Sequence, residues 1–196
     1  MIEAKLRKYY QSILVTPLLD QYWAKKIHPN AVTLFACLTG MAVFPLLTLN
    51  HPYFAVAALL FSGFLDTLDG SVARHRSLET PFGAILDIFC DRVVEASVIL
   101  ALFAVDPNLR AFPAFFMLAS ILLCVTAFLV IGIFANRPSQ KGFYYSPGLI
   151  ERAEAFFFFC LMILIPNDFG LIAYLFSSLV IISSITHIIL FKINSK

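Results

Sequence analysis

Six apolar stretches make up most of this chain, and they constrain its fold more than any other feature. Each is close to the ~20 residues that a helix needs to cross the hydrocarbon core of a bilayer, and each is bounded by Pro, Asn, Gly or charge. The stretches cover residues 31–49, 53–72, 83–105, 112–135, 149–165 and 169–191. They predict an all-α polytopic membrane protein with six transmembrane helices.

The composition excludes an ordinary soluble domain. Hydrophobic residues form 60% of the 196-residue chain and charged residues 13%, whereas soluble domains average about 45–50% and about 25%. The net charge of +2 gives no indication of nucleic-acid binding. The four cysteines all fall within apolar stretches without a C-x-x-C pairing, so they are predicted to be packing residues.

The basic residues predict the orientation in the membrane. With both termini in the cytoplasm, Arg110 is the one basic residue expected on the far side, and Arg92 lies inside the third stretch. The remaining Lys and Arg residues then face the cytoplasm, as the positive-inside rule requires. Arg92 follows Asp91 and precedes Glu95 by one turn, which predicts an ion pair that orients groups within the membrane. We therefore expect an integral protein of a bacterial or archaeal cytoplasmic membrane.

The first residues predict a surface segment rather than a span. Apolar residues such as Leu6 and Ile13 recur near helical spacing among Lys and Arg, although Pro17 breaks or kinks the run. Residues 1–30 are predicted to be a juxtamembrane amphipathic segment with an interfacial helix, and residues 31–196 the six-helix transmembrane domain. A cytoplasmic cap without lipid contact is the alternative. No cleavable signal peptide is expected, since polar and aromatic residues follow the basic start.

Four carboxylates interrupt the second and third stretches. An unpaired charge at the centre of a bilayer costs at least about 2.5 kcal/mol, so this cluster needs a counter-ion. Asp66 and Asp69 share one helix face, and so do Asp87 and Asp91. If the two stretches form a hairpin, Asp66 and Asp91 both lie ~12 Å from its cytoplasmic end, with Asp69 and Asp87 nearer to it. Hard divalent cations take carboxylate oxygens as ligands, so the pattern predicts a metal site.

Small residues and one cation accompany the carboxylates. Gly70 and Ala73 continue the face of the first carboxylate pair, and Gly83 removes side-chain bulk from the facing helix. Arg74 lies at the cytoplasmic mouth of the resulting slot, where a guanidinium suits phosphate. The combination predicts a planar, phosphorylated ligand that enters from the cytoplasm.

These residues form the pattern D-x2-D-G-x2-A-R-x8-G-x3-D-x3-D over residues 66–91. Eight fixed identities would arise by chance on the order of once in 10^10 windows, at ~5% for each residue type. The pattern resembles the signature of the CDP-alcohol phosphatidyltransferases, and every position of that signature is matched. The six-stretch layout and the N-terminal segment are also similar to that family, so the resemblance covers nearly the whole chain.

The resemblance implies roles for individual residues. Asp66, Asp69, Asp87 and Asp91 would bind two divalent cations, Mg²⁺ or Mn²⁺, and Asp91 would also act as the general base. The residues that would bind the nucleotide are Asp66, Asp69, Gly70, Ala73, Arg74 and Gly83. The implied enzyme transfers a phosphatidyl group from a CDP-linked lipid, CDP-diacylglycerol, to a small polar alcohol and releases CMP. The resemblance also implies a homodimer.

Three basic residues are candidates for binding the acceptor. Arg137, Lys141 and Arg152 precede or enter the fifth stretch, where they could form a pocket for an anionic acceptor. Membrane anchoring is the alternative for Arg137 and Lys141. The stretch G-L-I-E-R-A-E at residues 148–154 looks like that of family members that use inositol phosphate, in which the residue matched by Arg152 binds acceptor phosphate.

The rest of the inositol-phosphate pocket is not reproduced. A Ser, a basic residue and an Arg of those members align with Gly132, Ala135 and His187. We therefore expect a phosphorylated alcohol such as glycerol phosphate or a polyol phosphate. An unphosphorylated acceptor of the serine, ethanolamine or choline type is an alternative.

A cation or proton transporter that uses the same carboxylates is an alternative of another class. Two features count against it. The acids cluster toward one side of the membrane, and the fourth and sixth stretches carry no acid to continue a path across.

Overall fold

The computed structural model describes residues 27–134 and 152–194, and these residues are helical with short connections and no strand. Proline begins four of the helices, where its fixed φ suits the first turn and its missing donor is not needed. The helices are α1 (Pro29–Met41), α2 (Val43–Thr48), α3 (Pro52–His75), α4 (Pro81–Val105), α5 (Pro107–Phe134), α6 (Arg152–Leu164) and α7 (Phe169–Asn194). The predicted all-α class is confirmed for the described residues.

Within residues 27–134 and 152–194, four segments are long and apolar enough to cross a membrane. They are Pro29–Thr48, Pro52–His75, Pro107–Phe134 and Pro166–Ile193, and they correspond to the first, second, fourth and sixth predicted spans. Helix α4 has 25 residues but carries four charged side chains, and α6 has 13 described residues. The third and fifth spans therefore stay predictions. The interfacial helix lies outside the described residues, because the description begins at Ile27.

The chain forms two compact units, Met1–Val105 and Asp106–Lys196. All eight signature residues belong to the first. The domain boundary predicted after residue 30 stays a prediction, since most of the segment before it lies outside the described part of the chain.

In the first unit, α1 packs against both α3 and α4. A Cβ atom on Gly40 would lie 2.6 Å from Val94 Cγ2 on α4 and 2.8 Å from Ser62 Oγ on α3. The Ser62 hydroxyl donates a hydrogen bond of 2.7 Å to the carbonyl of Ala36. Gly40 is thus the point at which the α1 backbone approaches both helices at once.

The connection between α3 and α4 closes a helical hairpin, as predicted. Ser77 has a φ of 53° in the left-handed region, and the amide of Leu78 donates to the carbonyl of Ala73 at 2.9 Å, which ends α3 as a Schellman turn does. Arg76 Nη1 donates to the carbonyl of Ile27 at 2.8 Å. This bond ties the end of α3 to the residues before α1. Helices α3 and α4 approach each other closely at few positions, and both pack on α1 and α2.

In the second unit, α7 packs against α5 and α6. Phe159 of α6 and Phe176 of α7 are fully buried, with ring centroids 5.5 Å apart. Arg110 is buried as well. Its Nη2 atom donates to the carbonyl of Pro166 at 3.2 Å, and its guanidinium lies 4.7 Å from the ring centroid of Phe169. Arg110 therefore holds the turn that leads into α7.

We expect Gly40→Ala to destabilise the protein. The added methyl group would overlap Val94 and Ser62, and overpacking of this kind costs about 1–3 kcal/mol. Thermal unfolding in detergent should show a lower midpoint. Gly170→Ala is the matched control, because no atom lies within 4 Å of the position its Cβ would take. Equal midpoints for the two variants would contradict the close approach at Gly40.

Candidate metal centre

Three carboxylates from two helices meet in the first unit. Asp66 and Asp69 of α3 and Asp87 of α4 each contribute an oxygen atom, and these atoms all lie within 4.8 Å of one another. Asp69 is buried, with 5% of its surface exposed. The predicted meeting of the two helix faces is confirmed for these three residues.

The three carboxylates fit a divalent cation. Asp69 Oδ2 is buried and has no hydrogen-bond partner among the described residues, and a buried acceptor left in that state is costly. Three negative charges so close together also repel one another. A bound cation would take the Asp69 oxygen as a ligand and would neutralise the repulsion among the carboxylates. An all-carboxylate oxygen set suits hard ions such as Mg²⁺ and Mn²⁺.

Asp91 is not one of the three. It lies one turn further along α4, and its Oδ2 atom is 3.8 Å from Nη2 of Arg92. Nη1 of Arg92 lies 2.8 Å from Oε2 of Glu95. The ion pair predicted from the sequence is therefore confirmed. The roles predicted for Asp91, as a metal ligand and a general base, stay predictions.

Gly70 makes room for the guanidinium of Arg74. A Cβ atom on Gly70 would lie 3.3 Å from Nη1 of Arg74, whose Nη2 atom lies 3.4 Å from the hydroxyl oxygen of Ser71. The Arg74 side chain therefore folds back along α3, over Gly70. Both residues were predicted to bind the nucleotide, together with Ala73 on the same helix.

The start of α1 adds two polar residues that the sequence reasoning missed. Asn30 Oδ1 lies 3.2 Å from the position that a Cβ on Gly83 would take, and Thr33 is buried beside Asp69. His28 caps α1, since its Nδ1 atom accepts a bond from the amide of Asn30 at 3.3 Å. A polar H-P-N turn directly before an apolar stretch was the available signal.

The structure describes one of the three predicted acceptor residues. Arg152 begins α6 in the second unit, and its guanidinium lies 5.5 Å from the ring centroid of Phe156. Arg137 and Lys141 lie outside the described residues. His187, which aligns with an Arg of the inositol-phosphate-using members, is buried against Phe128. The acceptor pocket therefore stays a prediction.

A family model of the CDP-alcohol phosphatidyltransferases matches residues 26–190. The chain belongs to this family. The match includes the whole first unit from Lys26 onward and most of the second. Membership also agrees with the apolar helices, since both indicate an integral membrane protein.

Individual relatives share both sequence and fold with this chain. It is 32% identical over 149 residues to the phosphatidylinositol phosphate synthase of Corynebacterium glutamicum, and the alignment covers 72% of this chain and 65% of that protein. The chain thus spans slightly less than two thirds of that synthase.

Solved structures of the phosphatidylinositol phosphate synthase of Mycobacterium tuberculosis have the same fold. The structure with CDP-DAG bound matches with a TM-score of 0.67 at 23% identity, covering 89% of this chain and 92% of the other. The structure in complex with manganese and citrate matches with a TM-score of 0.73 at 20% identity, covering 91% and 88%.

We expect Asp69→Asn to weaken Mn²⁺ binding by at least about tenfold, since changes even to residues around a metal's ligands cost about 10–100-fold. The amide keeps the shape of the side chain but removes the charge. Titration of the purified protein with Mn²⁺, followed by electron paramagnetic resonance, measures the affinity. Asp168→Asn is the control, because Asp168 is exposed in the turn before α7. The same affinity in both variants would show that Asp69 does not hold the metal.

Proposed function

We propose that this protein transfers a phosphatidyl group from CDP-diacylglycerol to the hydroxyl of a small polar acceptor and releases CMP. The observation that carries this proposal is the meeting of Asp66, Asp69 and Asp87 within one unit of a CDP-alcohol phosphatidyltransferase chain. A related protein is named phosphatidylinositol phosphate synthase, and a structural neighbour has CDP-DAG bound. Both support a CDP-linked lipid as the donor.

Asp66, Asp69 and Asp87 would hold the metal, and the family resemblance implies two ions, Mg²⁺ or Mn²⁺. The structural neighbour in complex with manganese supports this choice. When bound, such ions neutralise charge on the pyrophosphate, polarise its phosphorus and stabilise the leaving CMP.

The remaining signature residues bind the donor and move the proton. Asp91 takes the proton of the acceptor hydroxyl. The acceptor oxygen bonds to the phosphorus that carries diacylglycerol, and the bond between that phosphate and CMP breaks. Arg74 pairs with phosphate oxygens at the cytoplasmic end of α3. Gly70, Ala73 and Gly83 leave space for the nucleotide.

The membrane setting follows from the chemistry of the donor. Six transmembrane helices, with both termini and the metal site facing the cytoplasm, would let the acyl chains stay in the bilayer while the soluble acceptor arrives from the water. The basic residues on the predicted cytoplasmic side support this orientation. A homodimer is proposed on the family resemblance.

The acceptor is proposed to be a phosphorylated alcohol such as glycerol phosphate or a polyol phosphate. Arg152 supports this, because its planar guanidinium can bind two phosphate oxygens at once. Arg137 and Lys141 would add positive charge. The name of the Corynebacterium relative also points to a phosphorylated polyol.

The purified protein should release CMP from CDP-diacylglycerol when given Mg²⁺ or Mn²⁺ and a suitable alcohol. A panel should include glycerol phosphate, inositol phosphate, serine and unphosphorylated polyols. Asp91→Asn should lower release to the background rate, because the amide cannot accept the proton. If no acceptor supports CMP release and liposomes containing the protein conduct cations, the carboxylates belong to a transporter and the proposed reaction is wrong.

We expect Arg152→Gln to raise the KM for the phosphorylated acceptor at least about tenfold, since hydrogen bonds to charged groups contribute about 1.5–3 kcal/mol each. The KM for CDP-diacylglycerol should stay the same. Lys192→Gln, on an exposed residue near the end of α7, is the matched control for the loss of one cation. An equal rise in both KM values for Arg152→Gln would argue against a role specific to the acceptor.

A further inference from the structure

Arg92 and Glu95 form an ion pair that the eight-residue signature does not include. Nη1 of Arg92 lies 2.8 Å from Oε2 of Glu95, and Nη2 lies 3.8 Å from Oδ2 of Asp91. Glu95 is buried, with 7% of its surface exposed. The guanidinium thus bridges two carboxylates on the same side of α4, with the closer contact to Glu95.

Simple charge balance does not account for this arrangement. Glu95 is the buried member of the pair, whereas the Arg92 side chain keeps 35% of its surface exposed, and removing the Glu95 carboxylate from solvent carries a desolvation cost. If Asp91 needed only a counter-ion, Arg92 alone would provide one. Glu95 cancels the charge of Arg92, so the pair adds no net charge to the site. What Glu95 does supply is a fixed position for the guanidinium.

The location of Asp91 indicates what this fixed guanidinium is for. Asp91 follows Asp87 by one helical turn, yet the cluster within 4.8 Å contains Asp66, Asp69 and Asp87 only. Cations held by those three would attract a fourth carboxylate nearby. Arg92 lies 3.8 Å from the same carboxylate and attracts it as well.

We propose that Glu95 and Arg92 are positioning residues for Asp91. Glu95 fixes the guanidinium of Arg92, and Arg92 keeps one carboxylate oxygen of Asp91 out of the metal cluster, where it can accept the proton of the acceptor hydroxyl. This inference rests on the proposed phosphatidyl transfer. It assigns a function to two residues for which the signature gives none.

Glu95→Gln tests the proposal, because it keeps the side-chain shape and removes the charge that fixes Arg92. We expect kcat for CMP release to fall about 10–100-fold, while the KM for CDP-diacylglycerol and the Mn²⁺ affinity measured by electron paramagnetic resonance stay within about twofold. Glu79→Gln is the matched control, since Glu79 is exposed in the connection between α3 and α4. An unchanged kcat in Glu95→Gln, with active wild-type protein, overturns this inference alone. Absent CMP release in the wild type overturns the proposed function.

A charge swap separates positioning from a purely structural ion pair. The double variant Arg92→Glu/Glu95→Arg keeps an ion pair on α4 but puts a carboxylate beside Asp91. We expect CMP release to stay at least about tenfold below wild type even though Mn²⁺ binding persists. Recovery of kcat to within about twofold of wild type would show that the pair is structural only.

If either variant fails to fold, Arg92→Lys decides the question. The ammonium keeps the positive charge but lacks the planar fork that bridges two carboxylates. A lower kcat with unchanged Mn²⁺ affinity supports positioning, and an unchanged kcat overturns it.

Discussion

The close approach of α1 to two other helices is the contact on which the site depends. At Gly40 the α1 backbone lies against Val94 of α4 and Ser62 of α3, with no space for a side chain. Helices α3 and α4 approach each other closely at few positions, so their separation is set largely by the helices they share, α1 and α2. That separation places Asp66 and Asp69 within 4.8 Å of Asp87. The packing of α1 against α3 and α4 thereby fixes the positions of the three carboxylates.

The same geometry destabilises the protein when no metal ion is bound. The three carboxylates contribute oxygen atoms that lie within 4.8 Å of one another, so their charged forms repel one another when no cation is present. Asp69 Oδ2 adds a buried acceptor without a described donor. Cation binding removes these penalties together, so metal affinity and stability are coupled in this unit. The packing at Gly40 thus holds the three carboxylates in positions that favour cation binding.

The sequence predicted the parts of the site that depend on helix periodicity. Spacings of three and four residues placed Asp66 with Asp69, and the hairpin brought Asp87 to the same depth. The contributions of Asn30, Thr33 and Gly40 were not predicted, because they depend on the rotation and register of α1 against the hairpin. Small residues at Ala36 and Gly40 form a pattern typical of close helix contacts. In an apolar stretch of this composition, however, such spacing does not identify the partner helix.

The choice of acceptor in the proposed reaction depends on a different physical rule. In the proposed reaction, the residues of the hairpin bind the donor. Acceptor choice instead depends on side chains that match one ligand's charges. At the positions that the family resemblance matches to a Ser, a basic residue and an Arg of inositol-phosphate-using members, this chain has Gly132, Ala135 and His187. His187 is buried and packs against Phe128. With the two basic residues absent from those positions, recognition of an acceptor phosphate would depend more heavily on Arg152, which is why glycerol phosphate or another polyol phosphate is proposed rather than inositol phosphate.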